Sequence, residues 1–128
     1  MPALDAISHL SLTVRDPQYS AGFYNRLLGS ETVFAADDGT LIILARPGVM
    51  LALRGHPGTA DDTFDPARIG LDHVAFQVPT RDELEAWHST LTADGVTCSE
   101  IAQSPFGLHL NLKDPDSIAI ELFVPDPQ

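Results

Sequence analysis

The spacing of apolar and polar residues predicts that the chain begins with a β-strand followed by a helix. Residues 6–14 alternate between the two classes, which is typical of a half-buried strand. Asp16 and Pro17 have the residue types of a helix N-cap and first helical position, and Gly29 has that of a helix end. Three further strands are predicted between turn residues, at about 31–36, 40–46 and 49–54. The first half of the chain therefore predicts a β-α-β-β-β module.

The second half of the chain shows the same order of patterns. Residues 71–78 alternate again, and Thr80 followed by Glu83 fits the capping box of a helix at about 81–94. Three strands are predicted after this helix, at about 96–103, 106–113 and 117–124. This half predicts a second β-α-β-β-β module, so the expected fold class is α+β.

The two predicted modules also resemble each other residue by residue at their first strands. Ile7-Ser8-His9-Leu10-Ser11-Leu12-Thr13-Val14 corresponds to Leu71-Asp72-His73-Val74-Ala75-Phe76-Gln77-Val78. Because 128 residues is the length of one domain, we expect a single domain of two modules that share a core. Module one is expected at 5–54, a linker at 55–69 and module two at 70–125.

Three potential metal ligands occupy matching positions in the predicted strands. His9, His73 and Glu121 each lie opposite an aliphatic strand face, which is expected to pack against a helix. If the sheet curls, the three side chains meet in one concave interior. Two imidazoles and one carboxylate suit a divalent ion, and these ligand types do not choose among Fe, Zn, Mn and Ni. The sequence therefore predicts a site for one divalent metal ion.

Other polar side chains are expected on the same strand faces and are candidates for contact with a substrate. His109 is the candidate for general acid–base catalysis, with a structural role as the alternative. The candidates for substrate binding are Asn111, Gln77, Ser11 and Arg54. Among these, Arg54 could anchor an anionic group, and an ordinary surface role is its alternative.

The charge balance and the cysteine count narrow the range of functions. Seven basic residues stand against eighteen acidic residues, which gives a formal net charge of −11. This balance argues against nucleic acid, whose phosphates require Lys and Arg, and against anionic membrane surfaces. It would suit a cationic ligand. Cys98 is the only cysteine, which excludes an intrachain disulfide and fits a reducing compartment, so a cytoplasmic location is expected.

Four motifs, which together span nearly the whole chain, carry a resemblance to a known superfamily. They are His9-Leu10-Ser11-Leu12-Thr13-Val14-Arg15-Asp16, Phe23-Tyr24-Asn25-Arg26-Leu27-Leu28-Gly29, Leu71-Asp72-His73-Val74-Ala75-Phe76, and Lys113-Asp114-Pro115-Asp116 leading to Ile120-Glu121-Leu122. In this combination the chain resembles the vicinal oxygen chelate superfamily of glyoxalases, bleomycin-resistance proteins and extradiol dioxygenases. The resemblance implies paired β-α-β-β-β modules that form an open, curled mixed sheet around a central cavity. It also implies a divalent ion held by His9, His73 and Glu121, a small-molecule substrate, and a homodimer.

Departures from the superfamily pattern limit the reaction that the resemblance implies. Enzymes similar to glyoxalase I carry a fourth ligand on the fourth strand, but Val49-Met50-Leu51-Ala52-Leu53-Arg54 contains no carboxylate. The remaining His-His-Glu set is similar to those of extradiol dioxygenases and fosfomycin-resistance thiol transferases. We expect a divalent-metal-dependent enzyme acting on a small oxygen-rich substrate, with lyase, isomerase, dioxygenase and thiol transferase chemistry left open. The alternative is a metal-free ligand-binding protein similar to bleomycin-resistance proteins.

Overall fold

The computed structural model describes residues 1–126, in which the chain forms two compact units. The first unit comprises Met1–Asp62, and the second begins at Thr63. Each unit contains the β-α-β-β-β order that the sequence predicts, so the α+β fold class is confirmed. Within residues 1–126, no helix combines the length and the apolar composition that crossing a membrane requires.

A mixed four-stranded sheet and one helix make up the first unit. Its elements are β1 (Leu10–Thr13), α1 (Pro17–Leu28), β2 (Glu31–Ala35), β3 (Leu41–Arg46) and β4 (Val49–Arg54). The strand order is β1-β4-β3-β2, in which β1 runs parallel to β4 and the other neighbours are antiparallel. The first strand of the unit therefore lies beside the last.

Local sequence determines both ends of α1. The Asp16 carboxylate accepts hydrogen bonds from the backbone N–H groups of Gln18 and Tyr19, at 3.1 and 3.3 Å. Gly29 ends the helix in the left-handed conformation, at φ 63°, where a side chain would be strained. The buried face of the helix includes Tyr24 and Leu27, and the helix packs on its own sheet.

The second unit repeats this architecture. Its elements are β5 (Val74–Gln77), α2 (Arg81–Ala93), β6 (Ala102–Ser104), β7 (Gly107–Lys113) and β8 (Ala119–Pro125). The strand order is β5-β8-β7-β6, with β5 parallel to β8 and the other neighbours antiparallel. Thr80 caps α2 by accepting a hydrogen bond from the backbone N–H of Glu83 at 3.2 Å, as its capping-box sequence predicts.

Helix α2 covers one face of the second sheet and leaves the other face uncovered by any helix of that unit. Helix α2 and strands β7 and β8 contribute most of the unit's buried aliphatic side chains, which are Leu84, Leu91, Leu110, Leu112, Ile120 and Leu122. Each such side chain contributes about 1.5–3 kcal/mol on burial. Because a slip of one residue would reverse the two faces, this burial fixes the register of β8. The register in turn places Glu121 on the uncovered face.

The first strand of each unit is shorter than the sequence pattern predicts. β1 begins at Leu10 and β5 at Val74, so His9 and His73 lie immediately before their strands and not within them. Both strands are at the edge of their sheets and pair with a single neighbour. Each of the two strands therefore begins only where its pairing with that neighbour begins.

The predicted strand at 96–103 is wrong over most of its length. Cys98 forms an isolated bridge with Leu112, and β6 begins only at Ala102. Next to this bridge, the Ser99 hydroxyl accepts a hydrogen bond from the backbone N–H of Asn111 at 2.9 Å. A side chain thereby replaces the backbone carbonyl that a continuous ladder would present, which interrupts the strand.

Residues 55–69 contain neither helix nor strand, and the boundary between the two units falls among them. On the second unit's side of this boundary, the backbone N–H of Phe64 donates a hydrogen bond to the carbonyl of Asp116 at 3.2 Å. This bond ties the start of the unit to the turn between β7 and β8. The module limits at 5–54 and 70–125 stay predictions.

Candidate metal centre

Strand β8 places Glu121 in the interior of the second sheet. Its Cα partners are Ala75 on the parallel strand β5 and Asn111 on the antiparallel strand β7. Because directly paired residues project from the same face, Glu121 and Asn111 share the face that α2 does not cover. His73 lies two residues before Ala75, and its side chain reaches the same face.

The turn between β7 and β8 fixes the start of β8. The carboxylate of buried Asp114 accepts hydrogen bonds from the backbone N–H groups of Asp116 and Ile118, both at 2.8 Å. Ser117 has a positive φ of 67°, a conformation that costs free energy for residues other than glycine. Glu121 follows three residues after Ile118, so this turn sets its position along the sheet.

His73 and Glu121 are in direct contact. Nε2 of His73 lies 3.3 Å from Oε2 of Glu121, and the two side chains are 45% and 18% exposed. Burying a carboxylate to this extent is costly unless it faces a positive charge. The pair therefore combines a half-buried carboxylate, which a nearby cation would stabilise, with an imidazole that solvent and ligands can reach.

Asp72 contacts the other nitrogen of the His73 ring. Its Oδ1 lies 2.8 Å from Nδ1 of His73. An ionised carboxylate only accepts hydrogen bonds, so Nδ1 carries a proton. In the neutral ring Nε2 then presents its lone pair toward Glu121. Two acceptors at this separation repel each other unless they share a cation, which is either a proton on Nε2 or a metal ion.

The spacing of the pair fits two ligands of one metal ion. Ligand bonds of about 2.0–2.2 Å at tetrahedral or octahedral angles place neighbouring donor atoms about 2.8–3.6 Å apart. The 3.3 Å between Nε2 of His73 and Oε2 of Glu121 lies within this range. Imidazole and carboxylate are also ligand types that Zn, Fe and Mn accept. The separation of these two atoms in the second unit is therefore compatible with a pair of ligands for one divalent ion.

His9, the third predicted ligand, belongs to the first unit and is exposed. Oγ of Ser8 lies 3.0 Å from Nδ1 of His9, so in both units the preceding residue contacts Nδ1 of the histidine. Taken by itself, neither unit assembles three or more His, Cys, Asp or Glu side chains into a metal site within residues 1–126.

The predicted catalytic residue and two predicted substrate contacts lie on the second sheet. His109 and Asn111 are on β7 and project from the same face as Glu121; His109 is half-buried and Asn111 is exposed. Gln77 on β5 is exposed, and its Cα partner is Phe123, which also pairs with His109. The structure therefore arranges His109, Phe123 and Gln77 in one row across the sheet, next to the row that contains Glu121.

The other two predicted substrate contacts lie on the first sheet. Ser11 pairs with Ala52 and Thr13 pairs with Arg54, so Ser11 and Arg54 project from the face that α1 does not cover. Both side chains are exposed. Each is therefore accessible to a ligand from this face.

Asp72 is the residue of this centre that the sequence interpretation missed. The signal was present in the repeat, because a residue with a side-chain oxygen precedes the histidine in both halves, Ser8 before His9 and Asp72 before His73. Alternation along a strand would direct adjacent side chains to opposite faces, which hid the contact. The chain bends at Asp72, before β5 begins, and the two side chains meet.

Comparison with known proteins gives consistent matches over nearly the whole chain. The family described as the Glyoxalase/Bleomycin resistance protein/Dioxygenase superfamily matches residues 6–122. The crystal structure of a glyoxylase/bleomycin resistance protein/dioxygenase domain from Frankia sp. EAN1pec is 31% identical in sequence, with a TM-score of 0.84. That match covers 97% of this chain and 94% of the other.

Two further matches are more distant. The trivalent organoarsenical cleaving enzyme of Bacillus sp. (strain MD1) is 27% identical over 125 residues, which is 91% of this chain and 71% of that enzyme. A mutant of the fosfomycin resistance protein FosX from Listeria monocytogenes was solved with Mn(II) and 1S,2S-dihydroxypropylphosphonic acid. It has a TM-score of 0.72 and 18% identity, and the match covers 94% of this chain and 90% of that one. At this identity the FosX match shows a shared fold alone.

Proposed function

Because this chain belongs to the Glyoxalase/Bleomycin resistance protein/Dioxygenase superfamily, we propose that it is a divalent-metal-dependent enzyme that acts on a small oxygen-rich molecule. The observation that carries the proposal is the 3.3 Å contact between Nε2 of His73 and Oε2 of Glu121. The contact lies on a sheet face that the unit's own helix does not cover. His73 and Glu121 would hold the ion, with His9 of the first unit as the third ligand.

The proposed ligand set suits catalysis as well as binding. One divalent ion, Fe, Zn, Mn or Ni, would polarise a carbonyl or hydroxyl oxygen of the substrate. Two neutral imidazoles and one carboxylate balance only part of a double positive charge and leave coordination positions for substrate oxygens. The FosX mutant of the same fold, which was solved with Mn(II), supports a divalent ion in this architecture.

Side chains beside the ligand pair would bind and orient the substrate. Asn111 is the Cα partner of Glu121, and its amide would hydrogen-bond a substrate oxygen next to the ion. His109 lies two residues away along β7 on the same face, where its half-buried ring would hold or move a proton. The remaining proposed substrate contacts are Gln77, Ser11 and Arg54.

Metal analysis of the full chain, purified without a histidine tag or chelator, tests the proposal. We expect about one equivalent of a divalent metal per chain, and loss of that metal in His73→Ala and Glu121→Ala while both variants stay folded. His56→Ala is the matched control, since His56 is an exposed histidine among residues 55–69 and its loss should leave the metal in place. Full metal occupancy in either ligand variant would overturn the assignment.

The relatives suggest which substrates to test first. One relative is named for cleaving trivalent organoarsenicals, and another for resistance to fosfomycin. A panel of a trivalent organoarsenical, fosfomycin with a thiol, and a catechol with dioxygen would separate cleavage, thiol transfer and dioxygenase chemistry. Turnover of one compound by the metal-loaded protein, and not by Glu121→Ala, would assign the reaction class.

A second candidate function is metal-free binding of a cationic drug or other ligand, similar to that of bleomycin-resistance proteins. The observation that favours it is the formal net charge of −11, which attracts cations. Binding of such a ligand to protein that takes up no metal, with the same affinity in His73→Ala, would favour this function over the enzyme.

We also propose a homodimer in the cytoplasm. Each sheet has two edge strands, and edge strands are a frequent site of association. The single cysteine, Cys98, suits a reducing compartment. Light scattering on the purified protein would test the dimer: a mass of one chain at all concentrations would exclude it.

A further inference from the structure

We propose that Asp72 is a positioning residue that holds His73 in the tautomer required for metal binding. The inference rests on the metal centre proposed above, and it concerns a residue that does not contact the ion. Asp72 would act through the Nδ1 atom of His73, and the ion would bind at Nε2 on the other side of the ring.

The contacts of Asp72 point to this role. Its carboxylate lies 2.8 Å from Nδ1 of His73, and its side chain is 79% exposed. Among residues 1–126, His73 is the only side-chain partner of Asp72. The Asp72 carboxylate does not cap a helix, as that of Asp16 does, and does not bond the backbone of a turn, as that of Asp114 does. An exposed carboxylate with this single contact has little to contribute to the folded core.

The direction of the Asp72 hydrogen bond selects between the two neutral forms of His73. With Nδ1 protonated, Nε2 has a free lone pair that can bind a cation. With Nε2 protonated, the ring would instead donate to Oε2 of Glu121, 3.3 Å away, and the two ligands would satisfy each other. For the neutral ring, Asp72 therefore disfavours the self-paired tautomer that competes with the metal ion.

The first unit offers an internal comparison for this effect. Ser8 contacts Nδ1 of His9 at 3.0 Å, from the same position in the repeat. A hydroxyl can donate or accept, so Ser8 does not select a tautomer. Asp72 can only accept while it is ionised. We therefore expect Ser8→Ala to change metal affinity less than Asp72→Ala.

Titration of the metal-free full chain with Mn²⁺ and with Zn²⁺, followed by calorimetry, tests the role of Asp72. Residues that orient a metal-binding histidine typically contribute about 10–100-fold to affinity, and we expect a loss of that size in Asp72→Ala. Asp72→Glu should stay within about threefold of the wild type, because its carboxylate still only accepts hydrogen bonds and can take the Nδ1 proton. Asp61→Ala is the control: it removes another exposed carboxylate elsewhere in the chain.

A second readout is independent of metal. Proton–nitrogen NMR of the imidazole nitrogens of the metal-free protein should show the neutral form of the His73 ring protonated at Nδ1. The same experiment on Asp72→Ala should show the proton moved to Nε2, and Asp72→Glu, which keeps an acceptor-only carboxylate, should restore the wild-type pattern. A change that arose only from loss of stability would not be rescued in this way.

The outcomes separate this inference from the proposed function. If the wild type binds metal and Asp72→Ala binds it as tightly as Asp61→Ala, the positioning role is overturned while the metal centre stands. If the wild type takes up neither Mn²⁺ nor Zn²⁺, the metal centre fails, and the role of Asp72 in it fails with it. A wild-type His73 protonated at Nε2 would contradict the tautomer argument directly.

Discussion

The sheet faces that the helices cover are similar in the two units. The uncovered faces differ in the side chains that project from them. Leu53 corresponds to Leu122, and Ile42 corresponds to Leu110; all four are buried. On the uncovered face, the row that follows each histidine differs: the second unit has Ala75, Glu121 and Asn111, and the first unit has Ser11, Ala52 and Ile43. The repeat therefore preserves what folds each unit, and it does not preserve the chemistry.

This difference explains why the candidate ligands are unevenly divided. Ala52 occupies the position in the first unit that Glu121 occupies in the second. One unit offers a histidine paired with a carboxylate, and the other offers His9 with Ser8 beside it. In a duplicated fold, a proposed metal centre thus depends on a few positions on one face, which can change without loss of the core.

Among the predicted changes, a substitution at Gly107 that disrupts the second sheet should cause the largest loss of stability. Gly107 has φ 153°, and an added Cβ would collide with the backbone carbonyl oxygen of Val124. We expect Gly107→Ala to destabilise the protein by at least about 3 kcal/mol in urea unfolding, with loss of metal binding. Gly39→Ala is the matched control in the first unit, where the space is open, and it should cost about 1 kcal/mol. Equal losses in the two variants would contradict the register argument.

Removing the imidazole of His109 should separate metal binding from turnover. His109 corresponds to Leu41 of the first unit, so this position carries an imidazole in the second unit only. We expect His109→Ala to keep its metal and to lower kcat about 100-fold on the substrate that the panel identifies. His56→Ala should leave both unchanged. An unaltered kcat in His109→Ala would show that His109 only lines the uncovered face of the sheet and takes no part in catalysis.

Substitution at Ala52 would make the first unit resemble the second. With His9 as the proposed third ligand, we expect Ala52→Glu to tighten metal binding about tenfold, because Ala52 has the register position in the first unit that Glu121 has in the second. Because Ala52 is only 7% exposed, the metal-free variant should lose about 1–3 kcal/mol of unfolding free energy. Ala52→Gln has the same size without the charge. Equal metal affinities of the two variants would show that the position lies outside the metal centre.

The smallest expected effect is a gain in stability at the turn before β8. Ser117 has a φ of 67°, which glycine adopts at lower cost. Ser117→Gly should stabilise the protein by up to about 1 kcal/mol and raise Tm by about 3–5 °C in thermal unfolding, without changing metal affinity. A lower Tm would mean that the Ser117 side chain compensates for its backbone strain.

The fold could be predicted from the sequence because its signals are local and occur twice. Alternation, the Asp16 and Thr80 caps and Gly29 each depend on neighbouring residues, and they locate the elements of both units. The strand predicted at 96–103 was wrong because a tertiary contact, from the Asn111 backbone to the Ser99 hydroxyl, replaces the ladder there.

The candidate site could be predicted less completely. The shared faces of Glu121, Asn111 and His109 followed from alternation and are present in the structure. The contact of Asp72 with His73 depends on a bend before β5, which the period-two pattern does not show. The assignment of His9, His73 and Glu121 to one ion stays a proposal, since it concerns residues of both units.

A crystal of the full chain, grown with Mn²⁺ and measured for anomalous scattering, would test the central claim most directly. The account predicts one anomalous peak per chain, about 2.0–2.3 Å from Nε2 of His73 and from a carboxylate oxygen of Glu121, with His9 as a further ligand. A saturated crystal whose His73 and Glu121 remain in contact with each other, with no peak beside them, would contradict it.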